Sequence, residues 1–500
     1  MAKKDYFQIS TAIDYPSSRF HLGHAYEKIC TDTIARYKKM LGYKIHFSTG
    51  TDCHGLKIER AARKAGKTPL QFVTEISKGF KELCKTLNIS YDDFIMTIES
   101  RHKKVAQYII NQLYKNGDIY KGIYEGLYCV DCETYYTKKD LIDGSCPIHK
   151  KPVESIKEES YFFKLSKYQD FLIDYIDKNP DCIYPEKKKN EVLNRLKEPL
   201  KDLSISRKEV KWSIPLPFDK NLTEFVWIEA LNNYLTTIDY PNKKYKNFWP
   251  AVHIIGPDII WHHTAIWFSI LKSLNLELPK VVVHGFINLK GEKLSKAANI
   301  TIDPIELAHK YGVDSLRYYL MRSIPFGDDG DFSEEALIKR NNTELADSLG
   351  NLLNRVVSMC DRYCDSKIPK AKEDKTLSSK LNFKKIDSYI ENYELHNALN
   401  DIFHFVDECN KYINEKEPWN LAKNKKIDEL QSVLFNTSEA LRIISQLIYP
   451  FMPEASLKIE EQLGFKHRDI FDMKWGNAKS KGIKKGDNLF KKYETANKRK

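Results

Sequence analysis

Apolar residues recur along the first quarter of the chain in two alternating rhythms. Residues 6–11 (YFQIST) make a short apolar run closed by the turn-rich DYPSSRF, which predicts a buried strand. From His24 to Leu41 the apolar positions Ala25, Ile29, Ile34, Tyr37 and Leu41 keep a helical spacing. KIHFSTG predicts a second strand. Helical patterns follow through Leu87 and from Arg101 to Asn116, where Gly117 marks a stop. Strand and helix in alternation predict a parallel α/β unit.

Between Ile119 and Trp227 the rhythm breaks into short strands, cysteines and a lysine-rich stretch, which predicts an insertion. It resumes with the strand AVHIIG, a helix from Asp258 to Leu274 and the strand KVVVHGF. Beyond Ser333 the pattern is helical to the end. No internal repeat or low-complexity linker interrupts it. At 500 residues, with 42% hydrophobic and 12% aromatic content, the chain has material for two to four cores.

Composition changes this picture little. No apolar run approaches the ~18 residues of a membrane span. Met1 to Ser10 has neither the apolar stretch of a signal peptide nor the Arg/Ser-rich character of a transit peptide, so a cytoplasmic protein with no membrane partner is expected. The net charge of +12 suits a polyanionic partner, although a chain rich in lysine throughout gives that sign little weight. The final stretch, Lys474 to Lys500, holds ten basic and two acidic residues, as a docked or a frayed tail.

Ten cysteines in a chain of this size do not suggest a disulfide framework. Cys30, Cys53, Cys84, Cys182, Cys360, Cys364 and Cys409 have no metal spacing. Cys129-x2-Cys132-x13-Cys146-x2-His149 does: two close pairs give the four ligands of a Cys3His zinc site. Four protein ligands leave no open position, so the Zn2+ would be structural, ordering residues from about Tyr124 to Val153.

Two further segments suit phosphate. His21-Leu22-Gly23-His24 falls at a strand-to-helix junction, where unpaired backbone N–H groups and the helix dipole attract anions. The two imidazoles can donate to phosphoryl oxygens, and Gly23 leaves room for a flat base. Lys293-Leu294-Ser295-Lys296 follows a strand of the second α/β half and adds charge for β- and γ-phosphates. A second KLSK, Lys164 to Lys167, lacks that context.

The pair resembles the HIGH and KMSKS motifs of class I aminoacyl-tRNA synthetases, and the resemblance to methionyl-tRNA synthetases runs almost the whole chain. TAIDYPSSRFHLGHAY, GTDCHGLKIERAA, ISRKEVKWSIPLP, FVWIEALNNYL, HIIGPDIIWHH, GNLLNRV and NKYINEKEPW all have collinear counterparts. The resemblance implies an α/β Rossmann-like parallel-sheet catalytic domain (1–118 and 226–332). It is split by a zinc-binding insertion (119–225, knuckle at about 124–153) and followed by an α-helical anticodon-binding bundle with a basic tail (333–500). It implies methionine–tRNA ligation with ATP and Mg2+, on tRNA(Met) including the initiator.

By position, Ala12, Ile13, Tyr15, Trp227, Ala230, Leu231, Tyr234, Ile259 and His263 would hold methionine, with Asp52 on its ammonium group. His21, Gly23, His24, Asp258, Lys293 and Lys296 would hold ATP, with Arg207 assisting adenylate formation. Arg362 and Trp419 would meet the anticodon. From the pattern alone, most of these aromatics, Trp419 included, read as core. The sequence departs from the family at Leu294, Ala297, Cys53, Glu229 (usually Asp), Pro257 (usually Lys) and Ser358 (usually Asn). Those departures keep a catalytically impaired tRNA-binding paralogue as the alternative. Another class I synthetase and a small-molecule nucleotidyltransferase fit less well: the first would not match the pocket, and the second needs no helical tail. The family's dimerisation module is not recognisable after GDNLFKKYE, so a monomer is expected.

Overall fold

The computed structural model describes residues 6–494 except 18, 131–133, 137–140, 149, 290–291, 294–301, 468 and 478. Strand β1 (Tyr6–Thr11), helix α1 (Leu22–Met40), strand β2 (Lys44–Thr51) and strand β3 (Asp93–Met96) build the first half of the main sheet. Across six parallel strands the order is β3, β2, β1, Val252–Ile255, Lys280–Val283, Ile183–Tyr184. The chain winds outward from β1 in one direction and later from Val252–Ile255 in the other. This leaves a crevice at the carboxyl ends of the two central strands, where such sheets hold ligands. Gly50 is required here, because a Cβ would lie 2.0 Å from the carbonyl oxygen of Ile95 on the neighbouring strand.

The irregular stretch from Ile119 folds mostly into an antiparallel sheet in the order Thr134–Tyr136, Ile119–Cys129, Glu154–Phe163, Leu203–Ser204. It does not stay outside the main sheet throughout. Ile183–Tyr184 returns to pair with Lys280–Val283 as the last parallel strand. Past the second half of the sheet the chain is helical, with the longest helices at Leu395–Lys416 and Ile427–Ile448. One continuous apolar core runs from Ile9, Ile29 and Phe47 through Leu316 and Leu320 to Leu399, Leu441 and Ile459, joining one face of the sheet to the helical region. A second core, with Leu235, Trp267 and Phe268, joins the other face to the insertion.

As far as Glu494 the basic tail is docked by its backbone. Arg442 donates to Lys474 O, Ile483 N donates to Ser366 O, and Asn341 Nδ2 donates to Lys491 O. None of the described helices is long and apolar enough to cross a membrane.

Candidate functional site

A cavity of about 370 Å3 opens at the crevice. Its floor comes from the chain leaving β1. Ala12 N donates to Ile254 O, Asp14 N to Gly50 O, and Asp52 N to Asp14 O, so Ala12 to Tyr15 are pinned across three strand ends. Ala12, Ile13, Tyr15, Asp52, Trp227, Ala230, Leu231, Tyr234, Ile259 and His263 all line this one cavity, together with His21, Gly23, His24 and Asp258. The helix predicted from Asp258 is a broken one: a 3-10 turn at Pro257–Ile259, a π-helical turn at His262–Ile266, then α-helix from Trp267. The wide turn lets both His262 and His263 line the cavity. His262 stacks on Trp227 with ring centroids 3.7 Å apart.

At the other end the amino terminus of α1 is capped by its own histidines. Gly23 N donates to His21 Nδ1 and His21 N donates to His24 Nδ1, each at 3.1 Å. A Cβ on Gly23 would lie 2.9 Å from the His21 ring. Because each Nδ1 accepts a backbone proton, each ring must carry its own proton on Nε2. Both imidazoles are therefore neutral Nε2–H donors. Burial agrees: it lowers His21 to about 4 and His24 well below its usual 6.5. His263 is fixed in the opposite tautomer. Its Nδ1–H donates to Ile259 O at 2.9 Å, so the Tyr234 hydroxyl donates to Nε2 at 2.7 Å.

Two buried charge pairs at this end were not legible in the sequence. Lys28, fully buried on α1, donates to Asp14 Oδ2 at 2.5 Å, and burial lifts Asp14 to about 6. His284 donates Nδ1–H to Gly285 O and faces Glu27 Oε2 at 3.1 Å. Burial works against charge on His284, but Glu27 outweighs it and holds the pKa above 6.5. Glu27 thus favours the protonated form of His284 in the cavity wall.

Other expected residues stand apart. Arg207 does not line the cavity: it is buried in the insertion, its Nη1 donating to Ser206 O at 2.6 Å and its guanidinium lying 4.3 Å from the Phe225 ring centre. Lys293 belongs to a short strand paired with Ile287–Leu289, next to cavity-lining Ile287. Lys296, with Leu294 and Ala297, lies outside the described residues. The other KLSK is spent on structure, Lys167 pairing with Asp118.

The family model described as "tRNA synthetases class I (M)" matches residues 7–155 and 137–357, and "Anticodon-binding domain of tRNA ligase" matches 374–498. The methionine–tRNA ligase of Caldanaerobacter subterraneus subsp. tengcongensis is 44% identical over 98% of this chain and 79% of its own length. That of Clostridium perfringens is 45% identical over 100% of this chain and 79% of its own. The chain belongs to the methionyl-tRNA synthetases. The Mycobacterium tuberculosis methionyl-tRNA synthetase, solved in complex with methionyl-adenylate, superposes with a TM-score of 0.93 at 36% identity, covering 98% of this chain and 100% of that one. The parallel-sheet catalytic half and the helical region are those of a class I methionine–tRNA ligase, which depends on ATP and binds tRNA through its helical domain.

Of this synthetase's expected zinc ligands, Cys129 and Cys146 are buried although Ile142 and Ile148 beside them are 61% and 48% exposed. Two buried thiols in this partly exposed stretch are compatible with a metal-holding knuckle. Cys132 and His149 lie outside the described residues. Ile148 reaches the cavity wall, so the knuckle borders the site. In the helical region Trp419 is 41% exposed, at odds with its reading as a core residue from the pattern. It is the second residue of the short helix Pro418–Lys423, and the Arg355 guanidinium sits 5.5 Å from its ring centre. Arg362 is exposed near the end of the helix Asn351–Tyr363, and Ser358 is half-buried on that helix.

Proposed function

We propose that the crevice cavity takes methionine at its aromatic end and ATP at its histidine end, and makes methionyl-adenylate between them. The observation that carries this reading is the division of one cavity into two chemistries. Trp227, Ala230, Leu231, Tyr234 and Ile259 give an apolar slot suited to a flexible thioether, with Asp52 lining the same cavity to take an ammonium. His21, His24 and the Glu27-paired His284 face the remainder. Neutral Nε2–H donors stabilise phosphoryl oxygens without adding charge to the ground state.

On this reading the methionine carboxylate attacks the α-phosphorus of ATP and pyrophosphate leaves. His21 and His24 hold the transferring oxygens, Asp258 the ribose hydroxyls, and Lys293 and Lys296 the departing phosphates. Mg2+ carried on ATP would supply further neutralisation. The terminal ribose 2′-hydroxyl of tRNA(Met), initiator included, then attacks the adenylate carbonyl, forming the ester as AMP leaves with the carbonyl–phosphate bond broken. No covalent enzyme intermediate is needed, because proximity and preorganised donors supply the acceleration. Cys129, Cys132, Cys146 and His149 would hold a structural zinc, and Arg362 and Trp419 would meet anticodon bases.

The test is ATP–pyrophosphate exchange with methionine, cysteine, leucine, isoleucine and valine. Stimulation by methionine alone is expected. Exchange equally strong with a branched amino acid would overturn the slot assignment. No exchange with any of them, from folded and zinc-replete protein, would favour the impaired paralogue.

A further inference from the structure

We infer that Glu229 is the positioning residue that sets the width of the methionine slot, by bridging His54 and His102 across three separate elements. This rests on the reading of the cavity as the methionine site.

Glu229 is fully buried on the helix Val226–Ala230, between Trp227 and Ala230, which both line the slot. Its two carboxylate oxygens go to different elements. Oε1 is 2.9 Å from His54 Nδ1, and Oε2 is 2.8 Å from His102 Nε2. His54 lies two residues beyond Asp52, and its carbonyl accepts the Tyr15 hydroxyl at 2.8 Å. His102 sits in the first turn of the helix Ser100–Lys115, its Nδ1 3.2 Å from Thr236 Oγ1. One carboxylate therefore ties the wall bearing Trp227 to the wall bearing Asp52 and Tyr15, with the His102 helix as an outside support.

A buried carboxylate persists only where donors satisfy it, and here each oxygen receives an imidazole N–H. Burial opposes the anion, but His54 and His102 together outweigh it and the pKa stays below the usual 4.5. Neither imidazole lines the cavity, so the bridge acts on substrate only through the walls it fixes. Removing it should loosen the spacing between the ammonium and thioether ends of the slot and leave the phosphate end on α1 in place. A mispositioned wall typically costs about ten- to a hundredfold.

The experiment is exchange kinetics on the full chain with Glu229→Ala, His102→Ala and the double variant, with folding followed by thermal melting. Expected are a rise of about tenfold or more in the methionine KM for Glu229→Ala, a smaller rise for His102→Ala, and an ATP KM within about twofold of the parent. The double variant should be no worse than Glu229→Ala, because both break one bridge. Glu229→Gln, which keeps one acceptor, should fall between. Equal shifts in both KM values, or additive losses in the double variant, would overturn the inference. If Glu229→Ala does not fold, the methionine-against-ATP split in His102→Ala decides. Asp52→Asn separates the two readings. If it leaves the methionine KM unchanged, the slot assignment itself fails. If it raises that KM while Glu229→Ala does not, only the bridge fails.

Discussion

Replacing Arg317 with methionine would remove the guanidinium that joins the nucleotide-binding half to the helical region. Arg317 is fully buried on the helix Val313–Ser323 and makes four hydrogen bonds. Nε donates to Phe451 O at 2.8 Å, Nη1 to Leu87 O at 3.1 Å, and Nη2 to Pro450 O at 2.9 Å and Asp32 Oδ2 at 2.7 Å. Methionine fills similar volume with an adaptable apolar chain, so a cavity contributes little. Asp32 keeps Arg36 Nε and the N–H and hydroxyl of Ser90, so its charge is not abandoned. Three buried carbonyls lose their donor, at roughly 1 kcal/mol or more each, and Asp32 loses one of its two cationic partners. The expected loss is about 3–5 kcal/mol, the range for breaking a buried ion pair. Urea unfolding followed by tryptophan fluorescence would read it as a lower midpoint at unchanged slope. Acid should narrow the gap. Burial raises the Asp32 pKa, but Arg317, Arg36 and Ser90 together outweigh it, so the folded value lies below 3.8. The pair's stability is thus present above that pH and lost as pH falls through the lower folded value. A loss under about 1 kcal/mol at pH 7 would show that the helical region is held by its apolar core alone.

Trp419→Ala should raise the KM for tRNA about five- to a hundredfold, the worth of one stacked base, while sparing ATP–pyrophosphate exchange; equal loss of both activities would refute the anticodon role. Stripping zinc with a chelator should open residues 124–153 to proteolysis and, because Ile148 lines the cavity, raise the methionine KM. Native mass spectrometry showing intact protein without metal would remove that claim. Glu224 is buried with neither carboxylate oxygen hydrogen-bonded among the described residues, and burial, then Glu229, pushes its pKa well above 4.5. The folded chain keeps this proton while the unfolded chain releases it, so stability from this group falls as pH rises above about 4.5. Glu224→Gln should therefore gain on the parent between about pH 5 and 8 in urea midpoints, and parallel curves would exclude it.

How much of this was legible in the sequence depends on whether a feature leaves a period. β1, β2 and α1 do, and each falls within two residues of its expected place. Ile183–Tyr184 does not, because two residues carry no alternation and lysines surround them. The helical period also reads straight through the π-turn at His262–Ile266. Tyr234 and Trp419 show both limits of pattern. The first is 1% exposed and lines the cavity all the same, and the second is 41% exposed where its pattern reads as core. Only the resemblance picked them out. The pairs Asp14–Lys28 and Glu27–His284 were invisible because tertiary packing, not local order, brings the second pair together across 257 residues. The one local hint was Lys28, one turn beyond His24 on the buried side of α1.

The protonation of the two α1 histidines has a consequence for how the synthetase is built. As neutral donors they gain from aim rather than charge, and a hydrogen bond loses most of its worth when its angle fails. α1 must therefore be held along its length. Its amino end caps itself through His21 and His24. Its middle is locked by Asp32 on Arg317 and by Arg36 Nη1 on the Tyr449 hydroxyl. Near its carboxyl end the Tyr37 hydroxyl donates to Asp387, and Lys38 pairs with Glu391 at 2.6 Å. Asp387, Glu391 and Tyr449 all belong to the helical region. The part of the chain that binds tRNA thus fixes the helix proposed to meet ATP, which gives a physical reason for the two regions to share one continuous core rather than a flexible linker.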